Sequence, residues 1–181
     1  PDSLKELLSN CMREEVGIVG AKLLYDDDSI QHAGVVIGFS GYAGHVFTGI
    51  MSKYEYGYMM RAAITCDYSA VTAACLMTKK SIWEQVGGLD ESFKVACNDI
   101  DYCLKVRNLN KLVVYDAFSV WHHYESKSRG IDKDPKAVER FMSEVNYAKE
   151  NYAKWLVHDP FYNDNFDKNY DYMLIVGTGS N

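Results

Sequence analysis

Val16 to Tyr25 is an apolar run in which Val16, Ile18, Val19 and Leu23 supply the bulk, and it follows Leu4, Leu7, Leu8 and Met12, which recur at helical spacing. A strand preceded by an amphipathic helix is the strongest constraint in the chain, and the alternation continues to the C-terminal region. Ile30 to Phe39 reads as extended, Ile64 to Thr78 as a buried strand, and Ser81 to Val86 as a short helix stopped by Gly87-Gly88. A helix opens at Asn98 and runs to about Arg107. Leu112 to Tyr115 and Phe118 to His123 follow as short strands, and Pro135 to Trp155 as a long helix with proline in its first turn. Strands and helices in alternation predict an α/β fold. No repeat or linker-like stretch divides the 181 residues, so residues 1–181 are expected to form one domain.

The polar turn Asp26-Asp27-Asp28-Ser29 separates the first two extended segments. Gly34, Gly38, Gly41 and Gly44 then follow at short intervals, in a stretch read either as a loop against a ligand or another strand, or as a plain mobile loop.

Composition removes several classes of function. The formal net charge of −6, with no long basic run, argues against nucleic acid as a partner. The longest apolar stretch, Ser69 to Thr78, is far shorter than the about 20 residues that span a bilayer. The acidic segment after Pro1 is unlike a signal peptide. The five cysteines form no C-x-x-C pair and leave an odd number over, which suits a reducing, cytoplasmic compartment better than a disulfide framework or a thiolate zinc site.

Two clusters carry chemistry. Asn98-Asp99-Ile100-Asp101 opens a helix, where Asn98 suits the N-cap, acidic residues favour the helix dipole, and Asp101 can pair with Lys105. Two carboxylates two residues apart on a helix point to different sides. Asp99 is therefore expected at the edge of the inward face, with Asp101 nearer solvent, which makes Asp99 the better candidate for chemistry. In the second cluster, His122 and His123 end a strand facing opposite ways, ahead of a polar loop whose Ser, Lys and Arg donors suit an anionic diphosphate. An imidazole there serves either as a divalent-metal ligand or as a structural histidine. The strings Asp26-Asp27-Asp28 and Asp99-Ile100-Asp101 are poorly placed as metal clamps, one on a turn and one within a helix start.

Taken in order, Val16 to Tyr25, Ile30 to Val36, Val71-Thr72-Ala73-Ala74-Cys75-Leu76, Gly87-Gly88-Leu89-Asp90-Glu91, Asn98 to Leu104 and His123 to Gly130 resemble the family-2 glycosyltransferases, especially bacterial rhamnosyltransferase-like members. Asp159-Pro160-Phe161-Tyr162-Asn163-Asp164-Asn165 resembles a segment near the end of such domains. The resemblance implies a GT-A fold, a mixed sheet flanked by helices, and inverting transfer of a hexose from a nucleotide sugar to a glycan or lipid-linked acceptor in polysaccharide assembly. It implies Asp99 as general base, His123 as a ligand to Mg²⁺ or Mn²⁺, and Ser128 and Arg129 near the diphosphate. Thr72 and Ala73 would line the sugar pocket, with Asn98 and Asp101 beside the base at the substrate.

The family's nucleotide-binding units and D-x-D strand would precede Pro1. The resemblance therefore implies an acceptor-side portion of the catalytic domain, inactive alone, whose full-length protein works in the cytoplasm or peripherally at the inner face of the membrane. Strand edges left uncovered would favour a homodimer. Two other readings stay open: a non-catalytic sugar-binding or scaffolding module, and a glycosidase, which would need a second carboxyl about 5 to 10 Å from Asp99.

Overall fold

The computed structural model describes residues 2–124 and 134–169. Helix α1 (Asp2–Cys11) leads into the nine-residue strand β1 (Val16–Leu24), every residue of which is buried. Complete burial explains why this run, Lys22 apart, is apolar instead of alternating, since both of its faces are covered. Val19, Ala21 and Leu23 pack with Leu7 and Cys11 of α1, whereas Ile18 and Leu24 join the main core on the other face. The helical stripe is narrower than its sequence suggests. Leu7 and Cys11 are buried, but Leu4, Leu8 and Met12 remain 54%, 49% and 69% exposed among the described residues.

β1 is the hub of a curled mixed sheet. On one side it pairs in parallel with β7 (Leu112–His122), and on the other it pairs antiparallel with β2 (Ile30–His32) and β6 (Leu76–Thr78). The two-residue strand β5 (Cys66–Asp67) pairs antiparallel with the far side of β7. A separate ribbon joins β3 (Val35–Ile37) to β4 (Ala43–His45). The extended run from Ile30 breaks into β2 and β3 because Gly34 takes φ 111°, and a Cβ there would lie 2.5 Å from the Tyr68 ring.

Three further departures from the sequence pattern have local causes. Ile64 to Thr78 is not one strand: Thr72 Oγ1 accepts from the Ala74 N–H and starts a 3₁₀ turn at Ala73–Cys75 between β5 and β6. The two short strands expected after Leu112 are one, bulged where the register jumps from Ala21↔Asp116 to Lys22↔Val120. Asp116 braces that bulge by accepting from the Phe118 N–H and from Asn10 Nδ2. The long helix divides at Tyr152 into α4 (Pro135–Asn151) and α5 (Ala153–Val157), with Asp134 capping the first turn through the Lys136 N–H.

Helix α2 (Lys80–Val86) ends on Gly87 at φ 77°, the left-handed stop its sequence announces. Helix α3 (Asn98–Arg107) packs across β1, and the contact is so close that a Cβ on Gly17 would sit 2.4 Å from Val106 Cγ1. Tyr68, Tyr102 and Tyr115 are fully buried in the main core. Beyond Val114 and Tyr115, the side of β7 facing away from β1 has no strand partner among the described residues, and Phe118 there is 61% exposed. No helix among the described residues is long and apolar enough to cross a membrane.

Candidate functional site

The end of α3 lies beside the beginnings of the parallel strands: Arg107 reaches Lys111 O and Val113 O, and Val106 fills the space above Gly17. Its first turn therefore lies toward the carboxyl ends of β1 and β7, where open α/β sheets hold their ligands. The chain enters α3 through Cys97 at φ 63°, a left-handed conformation that a non-glycine residue holds only when its surroundings enforce it. Cys97, not Asn98, is thus the N-cap. Asn98 falls inside the first turn and its Oδ1 accepts from the Asp99 N–H at 2.8 Å.

Asp99 is half-buried, and its Oδ2 accepts a hydrogen bond from the Ala73 N–H at 3.2 Å. Three of the sequence candidates, Thr72, Ala73 and Asp99, therefore meet at one place although 26 residues separate Ala73 from Asp99. A carboxylate has about four lone-pair positions, and the bonds from Ala73 and from the Ile100 N–H leave Asp99 room to accept another proton. Ala73 is exposed, so this contact lies at the surface and open to a ligand.

Asp101 lies elsewhere. The expectation that it sits nearer solvent is reversed: it is only 3% exposed, covered by the junction of α4 and α5. The Tyr152 hydroxyl donates a short hydrogen bond to Asp101 Oδ1. Lys105 Nζ stands 2.8 Å from Oδ2, an ion pair whose direction is poor for a hydrogen bond. Burial and the neighbouring carboxylate push the Tyr152 hydroxyl far above its ordinary pKa, so it stays a donor.

The loop before Asp99 is held by a residue the sequence did not single out. Glu144 of α4 is 5% exposed, and its carboxylate accepts from three consecutive backbone N–H groups, of Lys94, Val95 and Ala96. Successive N–H groups converging on one carboxylate form an anion nest. Glu144 and Tyr152 thus secure both flanks of the segment that carries Asp99. Neither had a signal in the sequence, because each acts across about 50 residues of chain.

His123 occupies the end of β7, where its N–H donates to Leu24 O at 2.9 Å. Its Nδ1 lies 2.8 Å from Gln31 Oε1, while Gln31 Nε2 donates to His123 O at 3.3 Å. In this pairing His123 Nδ1 faces the Gln31 amide oxygen, so Gln31 orients the ring. His122 is engaged with the 26–29 turn through Asp28 Oδ1 at 2.8 Å. Among the described residues no three His, Cys, Asp or Glu side chains converge as a metal site. Ser128 and Arg129 lie outside the described residues.

Three further titratable groups are buried in the core. His32 is fully buried with Nδ1 3.2 Å from His45 Nδ1, and burial, reinforced by His45, holds its pKa well below the ordinary histidine value. Lys22, 4% exposed, donates to the carbonyls of Lys53 and Ala62, and desolvation lowers its pKa. The thiol of Cys103, pushed up to about 12 by burial, is inert as a nucleophile.

No protein-family profile matches the chain. Over 169 residues the chain is 46% identical to the uncharacterized protein y4gI of Sinorhizobium fredii, a match that covers 91% of this chain and 18% of that protein. Over 165 residues it is 37% identical to the O-antigen biosynthesis protein RfbC of Myxococcus xanthus, covering 90% of this chain and 12% of that protein. The chain therefore spans less than a fifth of either relative's length.

Proposed function

We propose that this chain is part of an inverting glycosyltransferase of GT-A type, with Asp99 as the general base, that moves a hexose such as rhamnose from a nucleotide sugar to a glycan or lipid-linked acceptor. The observation that carries the proposal is the Asp99–Ala73 contact, a half-buried carboxylate held open at the carboxyl side of the parallel strands and joined to the Thr72–Ala73 segment. The name of the Myxococcus relative, an O-antigen biosynthesis protein, supports saccharide assembly as the setting.

In this account the acceptor hydroxyl lies against Asp99. Its oxygen attacks the anomeric carbon from the face opposite the leaving group, its proton passes to the Asp99 carboxylate, and the bond from that carbon to the nucleoside diphosphate breaks. The configuration at the anomeric carbon inverts. In this reading Thr72, Ala73 and Asn98 contact the sugars, while Asp101, bonded to Tyr152 and paired with Lys105, orients the start of α3. His123 would supply one imidazole to a Mg²⁺ or Mn²⁺ ion. The described residues hold no group of three such ligands, so the ion forms no step of this proposal.

The test is to supply a full-length protein containing this chain with dTDP- and UDP-hexoses and a glycan acceptor, and to determine the configuration of the product. Transfer with inversion supports the proposal. Acceptor binding with no transfer from any donor would favour the non-catalytic sugar-binding module instead.

A further inference from the structure

The segment Asp159 to Asn165, conspicuous in the sequence, takes no part in the site around Asp99. It forms one wall of a groove at the β5 edge of the sheet, beside the end of α3 opposite to Asp99. Polar groups line a cavity of about 620 Å³ there, among them Arg61, His158, Asn163 and Asn165. An apolar part of about 330 Å³ continues from it past Tyr58, Ile64 and Phe166, and the two parts share Arg61, Phe161, Tyr162 and Asn163.

Both walls are fixed to the core. Asp159 is fully buried and accepts from Ser69 Oγ at 2.6 Å, the Ile37 N–H at 2.7 Å and the Phe161 N–H at 2.8 Å. On the opposite wall Ala62 O receives both Tyr115 Oη and Lys22 Nζ. Tyr58 meets Phe166 edge to face at 4.8 Å and closes the apolar end. Arg107, paired with Asp67, lies 4.0 Å over the ring of Phe161 and sets that ring's orientation. A site this constrained loses little freedom on binding.

The open groups are those that recognise a sugar. A pyranose presents an apolar C–H face and a rim of hydroxyls, which call for an aromatic surface bordered by planar donors and acceptors. Phe161, Tyr58 and Phe166 supply the surface. Arg61 Nη1, Asn163 Nδ2 and the side-chain amide of Asn165 have no hydrogen-bond partner among the described residues and stand at the rim.

We propose that this groove binds an oligosaccharide, holding part of a glycan chain at a distance from Asp99. The inference rests on the glycosyltransferase reading for its choice of ligand. A longer acceptor would then be retained at two places, and elongation would favour chains long enough to reach both.

The experiment is a ¹⁵N–¹H NMR titration of the 181-residue chain with neutral di- to hexasaccharides released by mild acid from a rhamnose-rich O-polysaccharide. The expected result is saccharide-dependent shifts in the Arg61, Phe161, Asn163 and Asn165 region. Phe161→Ala should weaken binding about three- to tenfold. The exposed substitution Asn165→Ala should weaken it with the fold unchanged, and Asp99→Asn should leave it unaltered. No saccharide-dependent shift in that region, or shifts there that Phe161→Ala and Asn165→Ala leave unchanged, would overturn the inference. If the groove stays silent while the full-length protein transfers sugar, the groove fails and the transferase reading stands; saccharide binding in the groove with no transfer from any donor gives the reverse.

Discussion

The Glu144 carboxylate accepts a hydrogen bond from the Ala96 backbone N–H at 2.7 Å, tying α4 to the loop that ends in the left-handed Cys97. Removing the acceptor leaves three backbone donors, on Lys94, Val95 and Ala96, without a partner in a partly buried place. Glu144→Ala is expected to lower stability by about 1–3 kcal/mol, with Glu144→Gln milder because one oxygen remains. Urea unfolding gives the magnitude, and hydrogen exchange at residues 94–97 should accelerate before the rest of the chain.

The local elements were legible where one residue type decides the matter. β1 follows from its β-branched bulk, the 26–29 turn from its acidic run, and the end of α2 from Gly87. What could not be read depends on partners distant in sequence. Asp101 looks like a solvent-facing member of an i, i+4 pair with Lys105, and the pair forms, but the Tyr152 hydroxyl covers it from a helix that begins 34 residues later. The break at Tyr152 has the same origin, since that residue turns inward to Asp101. The candidate site was legible in part: the resemblance placed Asp99 with Thr72 and Ala73, while Gln31, which orients His123, gave no signal of its own.

His32 makes stability depend on pH. The folded chain holds this buried imidazole neutral, with its pKa well below the ordinary value, whereas the unfolded chain takes up a proton near pH 6.5. Below about pH 6.5 the unfolded state binds more protons, so stability should fall by up to about 1.4 kcal/mol for each further pH unit until the folded pKa is reached. Unfolding midpoints measured from pH 7 to pH 5 should fall steeply in the natural chain and more gently in His32→Asn, whatever that variant's stability at pH 7.

The uncovered stretch of β7 should pair with a second copy. Phe118 is 61% exposed beside a backbone edge that has no strand partner among the described residues, and charged residues placed on such edges oppose pairing. Light scattering across a wide concentration range is expected to show a dimer, with Phe118→Lys raising its dissociation constant at least about tenfold. A strictly monomeric chain at every concentration would contradict this.

The central claim is that Asp99 takes the acceptor's proton. The measurement is single-site kinetics in a full-length protein containing this chain, comparing Asp99→Asn with the natural residue under saturating donor and acceptor. The account predicts a fall in kcat of roughly 10²–10⁴ with little change in donor KM and an unchanged unfolding midpoint. Full turnover by Asp99→Asn would contradict it.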